Sequence, residues 1–146
     1  MSREVNRASA VEVRLVDTWD FDEIAGLYRA GGWWKDTYKA EALGPLIKGS
    51  FAFAIAFDPK TSRLAGMGRV ISDGVSDGYI QDLVVLPEYR RVGIGGRIVK
   101  ALLDKCKANG LEWVGLIAEP GSENFYGDLG FRAMPGHVPM LYKGET

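Results

Sequence analysis

The stretch Leu83-Val84-Val85-Leu86-Pro87-Glu88-Tyr89-Arg90-Arg91-Val92-Gly93-Ile94-Gly95-Gly96 decides how this chain reads. The strand read over Tyr79 to Leu86 is nearly continuous in its apolar part, Leu83 to Leu86, as in a strand covered on both faces. After the glycines, Ile98, Val99, Leu102, Leu103 and Cys106 fall on one stripe with Arg97, Lys100, Asp104 and Lys107 opposite, the pattern of an amphipathic helix over 95–109, ended by Asn109-Gly110. The order is strand, glycine loop, helix start. Glycines let successive backbone N–H groups approach an anion closely, and a helix N-terminus adds about half a positive charge. Between Pro87 and Gly110 six basic residues stand against two acidic ones, net +4, which leaves the rest of the chain near −5. The loop therefore reads as a site for a ligand carrying several phosphates.

Around it, 146 residues with 18 Lys+Arg, 19 Asp+Glu and 47% hydrophobic residues fit one domain over 1–146, with the polar residues 1–10 expected to be loosely ordered. The net charge of −1 gives no global basic excess for nucleic acid or an anionic membrane, and no apolar run is long enough to span one. One Cys and one His cannot assemble a structural zinc site, so no metal is expected. The lone thiol, Cys106, and the lack of an apolar leader point to the cytoplasm.

Val11 to Val16 alternates with period two and reads as a strand. Asp20 and Glu23 resemble a capping box opening a helix over about 20–30, which Gly31-Gly32 stops. Trp33-Trp34 follow, then a weaker helical pattern (Tyr38, Ala42, Leu43, Leu46, Ile47) interrupted by Gly44-Pro45, so short bent helices are expected. Phe51-Ala52-Phe53-Ala54-Ile55-Ala56-Phe57 puts three phenylalanines and Ile55 on one face and three alanines on the other. With Leu64 to Ile71 it forms an antiparallel hairpin around the Asp58-Pro59 turn. Leu111 to Ala118 reads as another central strand, residues from Ser122 or Glu123 to Leu129 as a short helix, and Val138 to Lys143 as a last strand.

The loop fits neither nucleotide fingerprint. No Lys-Ser or Lys-Thr follows the glycines as in a P-loop, and Ile98 stands where G-x-G-x-x-G needs its third glycine. Arg90-Arg91-Val92-Gly93-Ile94-Gly95 does match R-x-x-G-x-G, and so resembles motif A of the GNAT N-acetyltransferase superfamily, which binds the pyrophosphate of acetyl-CoA. Phe125-Tyr126-Gly127-Asp128-Leu129-Gly130-Phe131 resembles the F-Y-x-x-x-G-F element of the same family. The resemblance covers roughly residues 11–143. It implies an α/β (α+β) fold with a mixed, mostly antiparallel sheet of six to seven strands flanked by about four helices.

The resemblance also implies roles. Arg90, Arg91, Val92, Gly93, Ile94, Gly95 and Gly96 would hold the pyrophosphate of acetyl-CoA, the co-substrate. The backbone of Leu83, Val84 and Val85 would bind pantetheine and the acetyl oxygen, and Tyr126 would protonate the leaving thiolate. Many members carry an Asn seven residues before that Tyr; here Glu119 stands there, followed by Pro120-Gly121, and Ser122 and Asn124 are candidates for the missing contacts. Asp82 is the carboxylate nearest in sequence to the acetyl position and the candidate base, with Glu119 as rival or as part of the acceptor site. Trp33 and Trp34 are core residues or a wall of that site. The implied reaction is acetyl transfer to a primary amine on a small molecule or peptide, without an acyl-enzyme. The alternative is a CoA-binding sensor that keeps the fold without efficient transfer. Members often form homodimers, and no sequence feature here settles the oligomeric state.

Other residues have plainer readings. Cys106 lies on the apolar stripe and is not a nucleophile candidate. His137 reads as a surface loop residue, and Asp73 and Asp77 as a solvated loop or an attractor for a cationic amine.

Overall fold

The computed structural model describes residues 8 and 10–144. The chain divides into two compact units, one ending at Leu116 and one starting at Ile117. The first holds β1 (Glu12–Leu15), α1 (Phe21–Ala30), α2 (Leu43–Gly49), β2 (Ala52–Asp58), β3 (Arg63–Ser72), β4 (Asp77–Val85), α3 (Ile94–Ala108) and β5 (Trp113–Gly115), with 3-10 turns at Ala40–Ala42 and Pro87–Tyr89. The second holds α4 (Glu123–Asp128).

The sheet runs β1-β2-β3-β4-β5, antiparallel through β4 and parallel between β4 and β5. It is mixed and mostly antiparallel as expected, but it has five strands rather than six to seven. The missing strand is the one expected at 138–143, and the one expected at 111–118 is shorter than read. Residues 111–118 contribute only Trp113–Gly115, and these form an edge rather than a central strand, because pairing with β4 stops at Tyr79↔Gly115. Residues 138–143 form no strand: a strand exists only within a ladder, and among the described residues their unit holds no other strand to pair with.

The alternation in β2 sorts the core. Phe53 and Ile55 are buried with Ile24, Leu27, Tyr28, Leu43, Ile47, Met67 and Val84, which joins α1 and α2 to one side of the sheet. On the other face Ala54 pairs with Gly68 and Ala56 with Gly66. These small residues let α3 lie close on the strands: a Cβ at Gly68 would sit 3.1 Å from Ile98 Cγ2, and one at Gly66 would sit 2.6 Å from the Val84 carbonyl oxygen. Ile98, Val99, Leu102 and Cys106 of α3 are completely buried there, as the stripe predicted.

Residues 1–7 and 9 lie outside the described residues, and with them most of the segment expected to be loosely ordered. Ala8 is buried, and its carbonyl, with that of Val11, accepts the Arg97 guanidinium at 2.9 and 2.6 Å. Arg97 thus ties α3 to the approach to β1. Tyr89 donates to the fully buried Asp58, fastening the turn before the glycine loop to the β2–β3 hairpin.

Candidate functional site

Three features of the first unit converge on β4. The first is a break in the strand itself. Met67 pairs with Val84 but Arg69 with Gln81, so Asp82 and Leu83 together oppose Gly68 as a β-bulge. Asp82 carries φ +62°, a left-handed conformation that Asp tolerates better than most residues. Its carboxylate is anchored at one oxygen: the Tyr28 phenol and Arg69 Nε both donate to Oδ2 at 2.7 Å. Arg69 also reaches Gln81 Oε1 at 3.3 Å and Ser50 Oγ at 3.5 Å. Since β5 pairs only with Asp77–Tyr79, the β5-facing edge from Ile80 to Val85, including Leu83, Val84 and Val85, has no strand neighbour among the described residues.

The second feature is the glycine loop. Arg91 and Gly93 both take positive φ, +66° and +88°, and a Cβ on Gly93 would meet nothing within 4 Å. Gly93 caps α3 without a side-chain hydrogen bond, and the first bond within the helix is Arg97 N–H to the Gly93 carbonyl. The N–H groups of Ile94, Gly95 and Gly96 therefore have no acceptor in the helix or from a capping side chain. Three donors without a partner among the described residues, at the positive end of a fifteen-residue helix and beside the exposed Arg91, suit an anion. Of the other basic residues, Arg97 is committed to Ala8 and Val11, Lys100 pairs with Asp104, and Arg90 Nε donates to the Val85 carbonyl at 2.8 Å. With Lys105 and Lys107 in the last turn of α3, the basic side chains at the loop itself are Arg90 and Arg91.

The third feature is an aromatic cleft, about 550 Å³, lined by Tyr28, Trp33, Trp34, Thr37, Tyr38 and residues of the 3-10 turn and α2. Its shape follows from the end of α1. Trp33 N–H bonds the Tyr28 carbonyl and Gly32 N–H that of Arg29, with Gly32 at φ +80°. This is a Schellman motif, whose hydrophobic contact is here the ring pair Tyr28–Trp33, with centroids 6.2 Å apart. The Trp33 ring folds back so closely that a Cβ on Gly31 would lie 2.6 Å from it. Trp34 stacks edge-on with Tyr38, centroids 5.6 Å apart. Both tryptophans are half-buried against the core and also line the cleft.

Tyr28, Arg69, Thr37 and Lys39 were not singled out by the sequence. The only signal for Tyr28 was an aromatic with a polar handle on the apolar face of a helix, which needs a partner when buried.

In the second unit, Tyr126 on α4 lies between Phe125 and Phe131, with centroids at 4.9 and 5.8 Å. Burial and the negative charge of Glu119 push its phenol above the usual tyrosine range, so it stays protonated at neutral pH. The Ser122 hydroxyl donates to the Glu119 carbonyl at 2.6 Å and is occupied within its own turn, whereas Asn124 is exposed. His137 is exposed, its Nδ1 3.0 Å from the Pro135 carbonyl. Asp73 accepts from Val75 N–H, Ser76 N–H and Ser76 Oγ, so it braces its own loop. Among the described residues no cluster of three or more His, Cys, Asp or Glu could hold a metal, and no helix is long and apolar enough to cross a membrane.

Residues 24–139 match the acetyltransferase (GNAT) domain, and the chain belongs to the GNAT acetyltransferase family. It is 28% identical over 126 residues to GCN5-related N-acetyltransferase 1, chloroplastic, of Arabidopsis thaliana, covering 86% of this chain and 62% of that protein. It is 36% identical over 78 residues to a ycf52-like N-acetyltransferase of Prochlorococcus marinus, covering 53% and 43%. The match therefore spans about half the length of these relatives. A GNAT-family acetyltransferase of Streptococcus pneumoniae superposes with TM-score 0.79 at 26% identity, over 93% of this chain and 99% of that one.

Proposed function

We propose that the protein is an acetyl-CoA-dependent N-acetyltransferase that moves acetyl to a primary amine directly, within a ternary complex. The observation that supports this most is the loop Arg91–Gly96, whose left-handed Arg91 and Gly93 and three N–H groups without partners among the described residues suit a phosphate group. Acetyl-CoA supplies an activated thioester. The chain's own residues would then do three things. Arg90, Arg91 and the N–H groups of Ile94, Gly95 and Gly96 bind the phosphates. The amide of Val84 or Val85, on the edge that β5 leaves free, donates to the acetyl oxygen as negative charge develops there. Tyr126, kept protonated by its surroundings, gives its proton to the thiolate. Asp82 is the candidate base, acting directly or through water. With a thioester already activated, positioning of the amine does much of the work. A cytoplasmic location is part of the same proposal.

A thermal-shift titration with acetyl-CoA, followed by an amine panel read by free thiol, tests it. Stabilisation by acetyl-CoA and thiol release that depends on added amine are expected. Stabilisation without release on any amine would favour the sensor reading, which Glu119 at the family's Asn position also suits. No stabilisation would remove both.

A further inference from the structure

We infer that Tyr89 is a positioning residue for the glycine loop: its hydrogen bond to the buried Asp58 holds the strained backbone at Arg91 in the shape that receives phosphate. This rests on the reading of that loop as the CoA phosphate site, and deepens it by naming what keeps the site in shape.

The loop does not fix its own shape. Arg91 takes φ +66°, a left-handed conformation that such a residue holds only when its surroundings impose it. The N–H groups of Arg91 and Val92 have no backbone acceptor among the described residues. The strain is therefore carried at the two ends of the segment. At the far end Ile94, the first residue of α3, is buried. At the near end Leu86 N–H bonds the Ala65 carbonyl at 2.8 Å, Tyr89 N–H that of Leu86 at 2.9 Å and Arg90 N–H that of Pro87 at 3.2 Å. Tyr89 thus stands two residues before the strained position, on a turn tied to β3.

The tie at Tyr89 is built in the core. Asp58 has 0% exposure, and its Oδ2 accepts the Tyr89 phenol. Its Oδ1 accepts Lys60 N–H at 2.9 Å, so the same carboxylate shapes the turn between β2 and β3. Thr61 Oγ1, on that turn, lies 3.4 Å from the Tyr89 oxygen. A carboxylate at this depth is tolerated only with its donors in place, and it grips a phenol more firmly than a neutral acceptor does. The hairpin therefore sets where the loop begins. A loop released from that tie, and in its binding shape for only about a fifth of the time, would bind CoA about fivefold more weakly.

Calorimetric titration of CoA into the parent, Tyr89→Phe, Arg91→Asn and the double variant tests this without any transfer step. Asn enters the left-handed region far more readily than Arg, so Arg91→Asn removes the strain that the tie has to carry. Tyr89→Phe is expected to raise the Kd of CoA about fivefold or more in the parent, and less than about twofold in the Arg91→Asn background. A tyrosine that served only the stability of the core would cost the same factor in both backgrounds, and an equal or larger loss beside Arg91→Asn overturns the inference. So does parental affinity in Tyr89→Phe. Asp58→Asn leaves one carbonyl oxygen for two donors, and carries the same comparison if Tyr89→Phe does not fold. A parent that does not bind CoA removes the phosphate-site reading and the inference with it, whereas CoA binding with equal losses in both backgrounds removes the inference alone.

Discussion

The Tyr28 phenol on α1 and the Asp82 carboxylate in the β4 bulge lie 54 residues apart in the chain and 2.7 Å apart in the fold. That bond ties the helical layer to the bulge at which β4 departs from regular pairing with β3. Burial and the adjacent Asp82 charge push the Tyr28 pKa far above the usual tyrosine value. The folded chain thus holds this proton more tightly than the unfolded chain, and stability is lost as pH rises past the unfolded pKa near 10. Tyr28→Phe should cost about 1.5–3 kcal/mol at pH 8, from the lost bond to a charged group. The gap between parent and variant should then narrow by about 1.4 kcal/mol by pH 11. Urea titrations at the two pH values check this, and a gap that does not narrow would mean the phenol is not held neutral by the fold.

Gly93 separates strain from charge. A Cβ there meets nothing within 4 Å, so Gly93→Ala costs only the left-handed backbone at φ +88°, about 1 kcal/mol, or roughly 2–4 °C in Tm. Gly93→Glu adds a side chain and a negative charge beside the unpaired N–H groups of α3, and should abolish stabilisation by acetyl-CoA. If calorimetry finds parental affinity in Gly93→Glu, the loop is not the phosphate site.

Why the loop was legible and the cleft only half so follows from the range of the interactions. Glycine spacing, the stripe on α3 and the alternation in β2 are local patterns, and a local pattern writes itself into consecutive residues. Gly31-Gly32 was read as a helix stop, and the same two glycines fold Trp33 back onto Tyr28. The bulge at Asp82 leaves no such trace, because it is defined by a register shift against β3 and by partners on α1 and β3. The strand expected at 111–118 shrank to Trp113–Gly115 and the one expected at 138–143 did not form, for the same cause. Apolar composition states that a segment can pair, and only the neighbouring backbone decides whether it does.

Gly66 and Gly68 make unequal demands. At Gly66 the obstacle is backbone, the Val84 carbonyl oxygen at 2.6 Å, so Gly66→Ala must push β3 from β4. At Gly68 the obstacle is the Ile98 side chain at 3.1 Å, which can yield. Gly66→Ala should lose about 1–3 kcal/mol and Gly68→Ala less, by urea denaturation. With Val84 as an oxyanion donor, Gly66→Ala should also lower kcat more than it raises KM for acetyl-CoA. Equal effects of the two substitutions would place no special constraint at Val84.

Cys106 is completely buried on α3, and burial pushes its thiol pKa up. An aromatic disulfide reagent should leave the native protein unmodified and titrate one thiol after denaturation. Free-thiol release in the transfer assay then reports CoA alone. Rapid labelling of the native chain would show that α3 opens.

Tyr126 carries the sharpest test of mechanism. Its phenol is raised by burial first and by the Glu119 charge second, so it is protonated through the neutral range and the alkaline limb it imposes on kcat lies above pH 10. Glu119→Gln removes the second cause and should move that limb downward, toward the ordinary tyrosine value, without abolishing turnover. Tyr126→Phe should lower kcat about tenfold or more with acetyl-CoA affinity unchanged, because the lost group acts on the departing thiolate rather than on the bound ground state. It should also erase the limb. A Tyr126→Phe variant that keeps parental kcat at saturating amine, or a Glu119→Gln limb that moves upward, would leave the phenol packed between Phe125 and Phe131 with no part in proton transfer.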